Sequence, residues 1–133
     1  MSTLTVTNIK ATGETASRSA TGIAAAWINF NGTGTIATRD SFNVSGLIDL
    51  TLGQYDVEFT SDMGNDDYNV SGYGNTYSDT TNFSDGMNLA LANSYGSMNG
   101  QLEGSCSLGS YTHTGSGFTD SAIAFLSTHG DLA

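Results

Sequence analysis

An all-β fold, an antiparallel β-sandwich of jelly-roll type, is what this chain predicts, and three observations carry the prediction. Residues 54–60 alternate strictly: Tyr55, Val57 and Phe59 form one row, and Gln54, Asp56, Glu58 and Thr60 the other. A period of two places one row against a core and the other in water. Only 12% of the 133 residues are charged, and Gly, Ser, Thr and Asn fill the surface instead, which suits strands and turns and gives helices little to work with. Short apolar stretches recur every 8–12 residues or so with turn formers between them, the spacing of sandwiches and jelly-rolls.

The densest region is 23–60. Residues 24–30 carry the single tryptophan, Trp27, and Gly32 and Gly34 punctuate before a strand at 35–38. Residues 42–48 read as the partner of 54–60, with Phe42 and Val44 facing inward. The connection 49–53 ends in Gly53, so a hairpin with a three-to-five-residue loop is expected. The predicted core is Trp27, Phe30, Phe42, Val44, Tyr55, Val57 and Phe59.

Upstream, 2–9 alternates weakly, as a short strand or extended arm does. Residues 10–22 hold nothing apolar larger than alanine and cannot bury enough to order themselves. The chain is therefore divided into an N-terminal arm or linker, 1–22, and a β-domain, 23–133.

Downstream, 61–82 is dense in turn formers around a strand at 68–73. Residues 87–92 have some helix propensity, but their alternation favours a strand. A weak strand follows at 101–108. The apolar run 120–126 reads as a closing strand buried on both faces, and 127–133 as a loose tail.

With 13 acidic against 3 basic residues the net charge is −10, which repels phosphate backbones and argues against nucleic acid. Cys106 is the single cysteine, expected as a small buried residue. No apolar run is long enough to insert in a membrane, and no signal-peptide pattern opens the chain.

Candidate chemistry is sparse. His113 and His129 lack a nucleophile-elbow context. The adjacent Asp66 and Asp67 point apart on a turn, unlike a glycosidase pair. Asp62, Asn65, Asp66 and Asp67 offer hard oxygens around Gly64, but not at EF-hand spacing, so no metal ligand and no cofactor is assigned. Asn31, Asn43, Asn69 and Asn82 open Asn-x-Ser/Thr triplets, which this composition produces by itself. The aromatics set among polar residues, Tyr73, Tyr77, Phe83, Tyr95 and Tyr111, are the candidate contacts for a glycan or a protein partner. Such rings can stack on a sugar while their neighbours bind hydroxyls; the competing role is packing at loop bases or a subunit interface.

The run AAAWINFNGTGTIATRDSFNVS, followed by Tyr55, Val57, Phe59 and Thr60 and then Tyr68, Val70 and Gly72, resembles a small domain of tail-fibre and related virion proteins of tailed phages, especially marine ones. The likeness is close over 4–72 and loose beyond. It departs at 49–53, where DLTLG replaces a more polar turn.

The resemblance implies a non-enzymatic structural protein on the virion surface, assembled in the host cytoplasm. It would be a short tail or head fibre, homotrimeric, attached through its arm to a tail or fibre base or to the major capsid protein, with host-surface carbohydrate as a further partner. The alternatives are a capsid decoration or cement protein and, from another class, a carbohydrate-binding module.

Overall fold

The computed structural model describes residues 5–9, 12–13, 15, 18–19, 22–75, 86–91, 100–111 and 117–133. Ten strands are defined: β1 (Asn8–Ile9), β2 (Arg18–Ser19), β3 (Ala24–Asn31), β4 (Ala37–Phe42), β5 (Val44–Thr51), β6 (Gln54–Phe59), β7 (Asn69–Asn75), β8 (Gly86–Leu91), β9 (Ser105–Tyr111) and β10 (Ile123–His129). All pairings between them are antiparallel, and the described residues contain no α-helix. Among the described residues β1 and β2 pair only with each other, so residues 10–22 contribute a strand at Arg18–Ser19 that their composition does not foretell; main-chain pairing needs no apolar group.

The other eight strands run in the order β4-β3-β10-β7-β8-β9-β6-β5. The series doubles over at β8, whose first residues, Gly86 and Met87, pair with β7 while Asn88–Leu91 pair with β9. This brings β3 and β10 face to face with β6 and β9 in a sandwich-like architecture. Strands β7 to β10, in the order β10-β7-β8-β9, form a Greek key, and β6 to β9 form a second overlapping one.

Between the layers lie Ala26, Ile28 and Phe30 from β3, Tyr55, Val57 and Phe59 from β6, Cys106 and Leu108 from β9, and Ala124 and Leu126 from β10, all buried. Two edge-to-face ring pairs mark the ends of this core: Phe30 with Tyr55, centroids 5.1 Å apart, and Phe59 with Tyr68 at 5.9 Å. Phe30, Tyr55, Val57 and Phe59 thus lie inside, and Val44 packs half-buried against them.

Two residues expected inside do not lie there. Phe42 is 51% exposed, and Trp27 is half-buried on the outer face of β3 between the buried Ala26 and Ile28. The pleat decides this: with Ile28 and Phe30 inward, Trp27 must point out, and Phe42, its register partner on β4, points out with it. Gln54 moves the other way, buried at 3% rather than facing water.

Residues 42–48 are not one strand either. The chain breaks at Asn43, which has φ 55° and separates β4 from β5. The amide of Asn43 ties the corner: its Nδ2 donates to the carbonyls of Ala25 and Ser61, both at 3.1 Å, and its Oδ1 accepts from the Ser61 N–H at 2.9 Å. The two terminal strands of the series are therefore joined by one residue, and diverge from it around a groove of about 330 Å3 lined by Ile36, Thr38, Ser41, Val44, Ser45, Gly46 and Leu47.

The hairpin after β5 is tighter than expected, with only Leu52 and Gly53 between the strands. Gly53 has φ 66°, and a Cβ there would lie 2.5 Å from the main-chain nitrogen of Thr119, so both conformation and space require glycine.

β10 is a central strand buried on one face, not both, since Phe125 is 44% exposed. It also runs on into the expected tail. Thr128 is fully buried because its hydroxyl donates to the Ala26 carbonyl at 3.3 Å, and the Ala133 N–H bonds to the Asp62 carbonyl at 2.9 Å.

Candidate functional site

The outward side of β4-β3-β10-β7 gathers four rings, Phe42 and Phe125 exposed and Trp27 and Tyr73 half-buried. Register places Phe42, Trp27, Ser127 and Ser71 in one row across the four strands, and Asp40, Asn29, Phe125 and Tyr73 in the next. Each row holds two rings and two polar side chains. The ring pairs are offset by one strand pair, so Trp27 and Phe125 are diagonal neighbours, within reach for aromatic side chains. Tyr73 and Phe125 are in contact, centroids 6.2 Å apart and planes tilted by 35°.

The polar members are held in place. Ser127 Oγ lies 3.3 Å from Ser71 Oγ and 3.0 Å from His129 Nε2, and His129 Nδ1 lies 3.3 Å from the Gly22 carbonyl oxygen. Arg39 occupies the bulge where β4 slips against β3. Its guanidinium donates to the carbonyls of Phe30 and Ala122, both at 2.6 Å, and more weakly to Asn29 Oδ1 at 3.4 Å. It is a strut across β3 that braces Asn29 beside Phe125.

Charge separates this face from the rest of the chain. Asp40 is the sole acid in β3, β4, β7 and β10, and Arg39 is the sole base besides His129, whereas β5 and β6 carry Asp49, Asp56 and Glu58 with no base. A molecule of net charge −10 thus keeps one layer neutral.

The two ends of the sandwich hold buried polar clusters of a different kind. At one end the Tyr55 hydroxyl accepts from the Ser121 N–H at 3.2 Å and faces the Gly32 carbonyl at 3.1 Å and Asp120 Oδ1 at 3.3 Å. Asp120 Oδ1 also accepts from the Gly53 N–H at 2.7 Å. Burial holds the Tyr55 phenol well above its ordinary range, reinforced by Asp120, so it stays neutral and donates.

At the other end Tyr68 Oη donates to the carbonyls of Ser105 and Leu102, at 2.9 and 3.0 Å. Burial, then the neighbouring Cys106, push that phenol up too. The Cys106 thiol is pushed up to about 12, first by burial, so it is a packed hydrophobe and not a thiolate. These clusters join loops to strands; their polar atoms are engaged chiefly by main-chain groups.

The acidic turn lies at the Tyr68 end. Its main chain is tied down by Met63 to the Glu103 carbonyl at 2.7 Å and by Gly64 to the Asp131 carbonyl at 2.8 Å, while Asp62, Asp66 and Asp67 remain exposed. Among the described residues no group of three or more His, Cys, Asp or Glu could hold a metal ion. In two of the Asn-x-Ser/Thr triplets the amide is engaged locally, since Asn31 Nδ2 donates to the Thr33 carbonyl at 2.8 Å and Asn43 ties the corner.

Of the candidate contact residues, Tyr73 belongs to the outer face. Tyr77, Phe83 and Tyr95 lie outside the described residues, as does His113. Tyr111 ends β9, with its side chain outside the described set. Trp27, Phe42 and Phe125 are surface residues that the sequence pattern did not single out as such. The signal was present in the pleat: Trp27 is out of phase with Phe30, and Phe125 with Leu126.

Comparison with protein-family models, with curated proteins and with solved structures found no match to this chain.

Proposed function

We propose that this chain is a non-enzymatic structural protein of a tailed-phage virion, a short homotrimeric fibre on the particle surface that contacts host glycans. The observation that supports this reading is the outer face of β4-β3-β10-β7. It is a layer without net charge in which Phe42 and Phe125 are exposed and Trp27 and Tyr73 half-buried beside them. A protein whose work is surface contact needs such a face and no reactive centre. Eight strands with two overlapping Greek keys fit the jelly-roll class, and the resemblance of 4–72 to phage fibre domains gives that scaffold its setting.

Trimerisation would use other surfaces. Among the described residues β4 and β5 are the unpaired ends of the strand series, and Val6, Ile9 and Ile23, within or beside residues 1–22, are exposed at 42%, 42% and 54%. Residues 1–22 would attach the trimer to a neighbouring virion protein.

Cryo-electron microscopy of purified particles tests the reading. Density for this chain at the tail or its fibres, or projecting from the head as a fibre, is the expected result. Density lying flat on capsomer symmetry axes would make it a decoration protein and overturn the fibre assignment. Absence from the particle would overturn the virion reading altogether.

A further inference from the structure

From the outer face of β4-β3-β10-β7 we infer a binding platform for a neutral glycan, with Trp27 and Phe125 as the central stacking rings. The inference deepens the surface-contact reading above and rests on it only for the biological setting. Three features of the face point to a sugar as the occupant.

The first is the pattern. A pyranose presents an apolar C–H face ringed by hydroxyls, so it needs a flat ring beside short polar groups. The two rows supply that alternation: Trp27 lies beside Ser127, and Phe125 beside Asn29. Rigid rings recognise at low entropic cost, since each has only two torsions to fix. The polar partners are pre-set, Ser127 by Ser71 and His129, Asn29 by Arg39. Serine and asparagine can donate to and accept from hydroxyls in either sense.

The second is charge. Arg39 and Asp40 leave these four strands without net charge, while the chain as a whole carries −10. An anionic polysaccharide would meet a repulsive field and no compensating cluster of bases. A neutral glycan meets neither.

The third is size. Four strands about 4.8 Å apart, with seven residues rising about 3.4 Å each, give a footprint of about 450 Å2. A footprint of that size accommodates an oligosaccharide of several rings.

The test is an array of neutral and anionic bacterial-surface oligosaccharides, probed with the isolated full chain and followed by titration of the best neutral ligand. Trp27→Ala and Phe125→Ala are each expected to weaken that ligand by about three- to tenfold, the range for one lost aromatic contact. Ile48→Ala, which removes an exposed apolar side chain from β5 in the other layer, should leave it unchanged. Circular dichroism establishes that each variant is folded; should Trp27→Ala fail there, Phe125→Ala and Tyr73→Ala decide.

Binding to neutral glycans that is lost in the folded variants supports the platform. Binding to no glycan, binding confined to anionic ones, or binding undiminished in the variants overturns it. So does self-association abolished by Phe125→Ala with no glycan bound, which would make the face an interface between copies. Because the array uses the isolated chain, a negative result leaves the particle location standing, and a protein absent from particles leaves the array result standing.

Discussion

Replacing Asn43 perturbs the corner that joins the two ends of the strand series, and the structure fixes how the substitutions should rank. The residue sits at φ 55°, a conformation that asparagine and glycine tolerate and that costs alanine about 1–2 kcal/mol. Its amide also makes three bonds, to the Ala25 and Ser61 carbonyls and from the Ser61 N–H. Two of these are exposed, so each is taken near the low end of the ~0.5–1.5 kcal/mol net range, and together they contribute about 2 kcal/mol.

Asn43→Gly loses the bonds and keeps the conformation, and is expected to cost about 2 kcal/mol. Asn43→Ala loses both, for about 3–4 kcal/mol. Urea unfolding followed by circular dichroism measures each from the midpoint at constant m. If glycine and alanine cost the same, the left-handed conformation is not a constraint. If alanine costs less than about 0.5 kcal/mol, Asn43 does not hold the corner and the reasoning fails.

Elsewhere, Tyr55→Phe keeps the ring against Phe30 but strips the hydroxyl from the Ser121, Gly32 and Asp120 groups it serves, for about 1–3 kcal/mol in the same unfolding assay. Phe30→Ala should cost about 3–5 kcal/mol and Phe42→Ala less than about 1 kcal/mol, because one ring is inside the sandwich and the other outside it; equal costs would refute the assigned faces. Alkali should destabilise the fold through Cys106. Its folded thiol holds its proton up to about pH 12 against an ordinary value of 9, so above 9 the unfolded chain releases a proton that the folded chain keeps. This component of stability is complete below pH 9 and declines above it by up to about 1.4 kcal/mol per pH unit. Cys106→Ala should flatten unfolding midpoints measured between about pH 9 and 10.

Much of this architecture is legible in the residues because alternation reports directly on the pleat. The alternating row Tyr55, Val57 and Phe59 marks β6 and its inward face, and Gly53 marks the hairpin. What the pattern hides is which side of a strand faces inward when both sides are apolar. Ala24–Asn31 offers Trp27 on one face and Ile28 and Phe30 on the other, and only the facing layer decides between them. Large size favours burying tryptophan; in the structure two inward residues outweigh one.

The break at Asn43 is hidden for a similar reason, since asparagine inside an apolar alternation looks like an outward residue. In β10, Ser127 and Thr128 look like a polar tail. Thr128 is buried only because the Ala26 carbonyl on the neighbouring strand takes its hydroxyl. The aromatic platform was half visible, through Tyr73. Its other members come from strands far apart in sequence, and register alone assembles them.

The central claim is that this assembled face is open to solvent, and Trp27 reports on it without interference because it is the single tryptophan. The decisive measurement is acrylamide quenching of its fluorescence in the folded, dilute chain, with and without a neutral oligosaccharide that binds in the array. Ready quenching of the folded protein is the predicted result, with protection when the sugar is added. Fluorescence that resists acrylamide until urea unfolds the chain would place Trp27 in the core and contradict the claim.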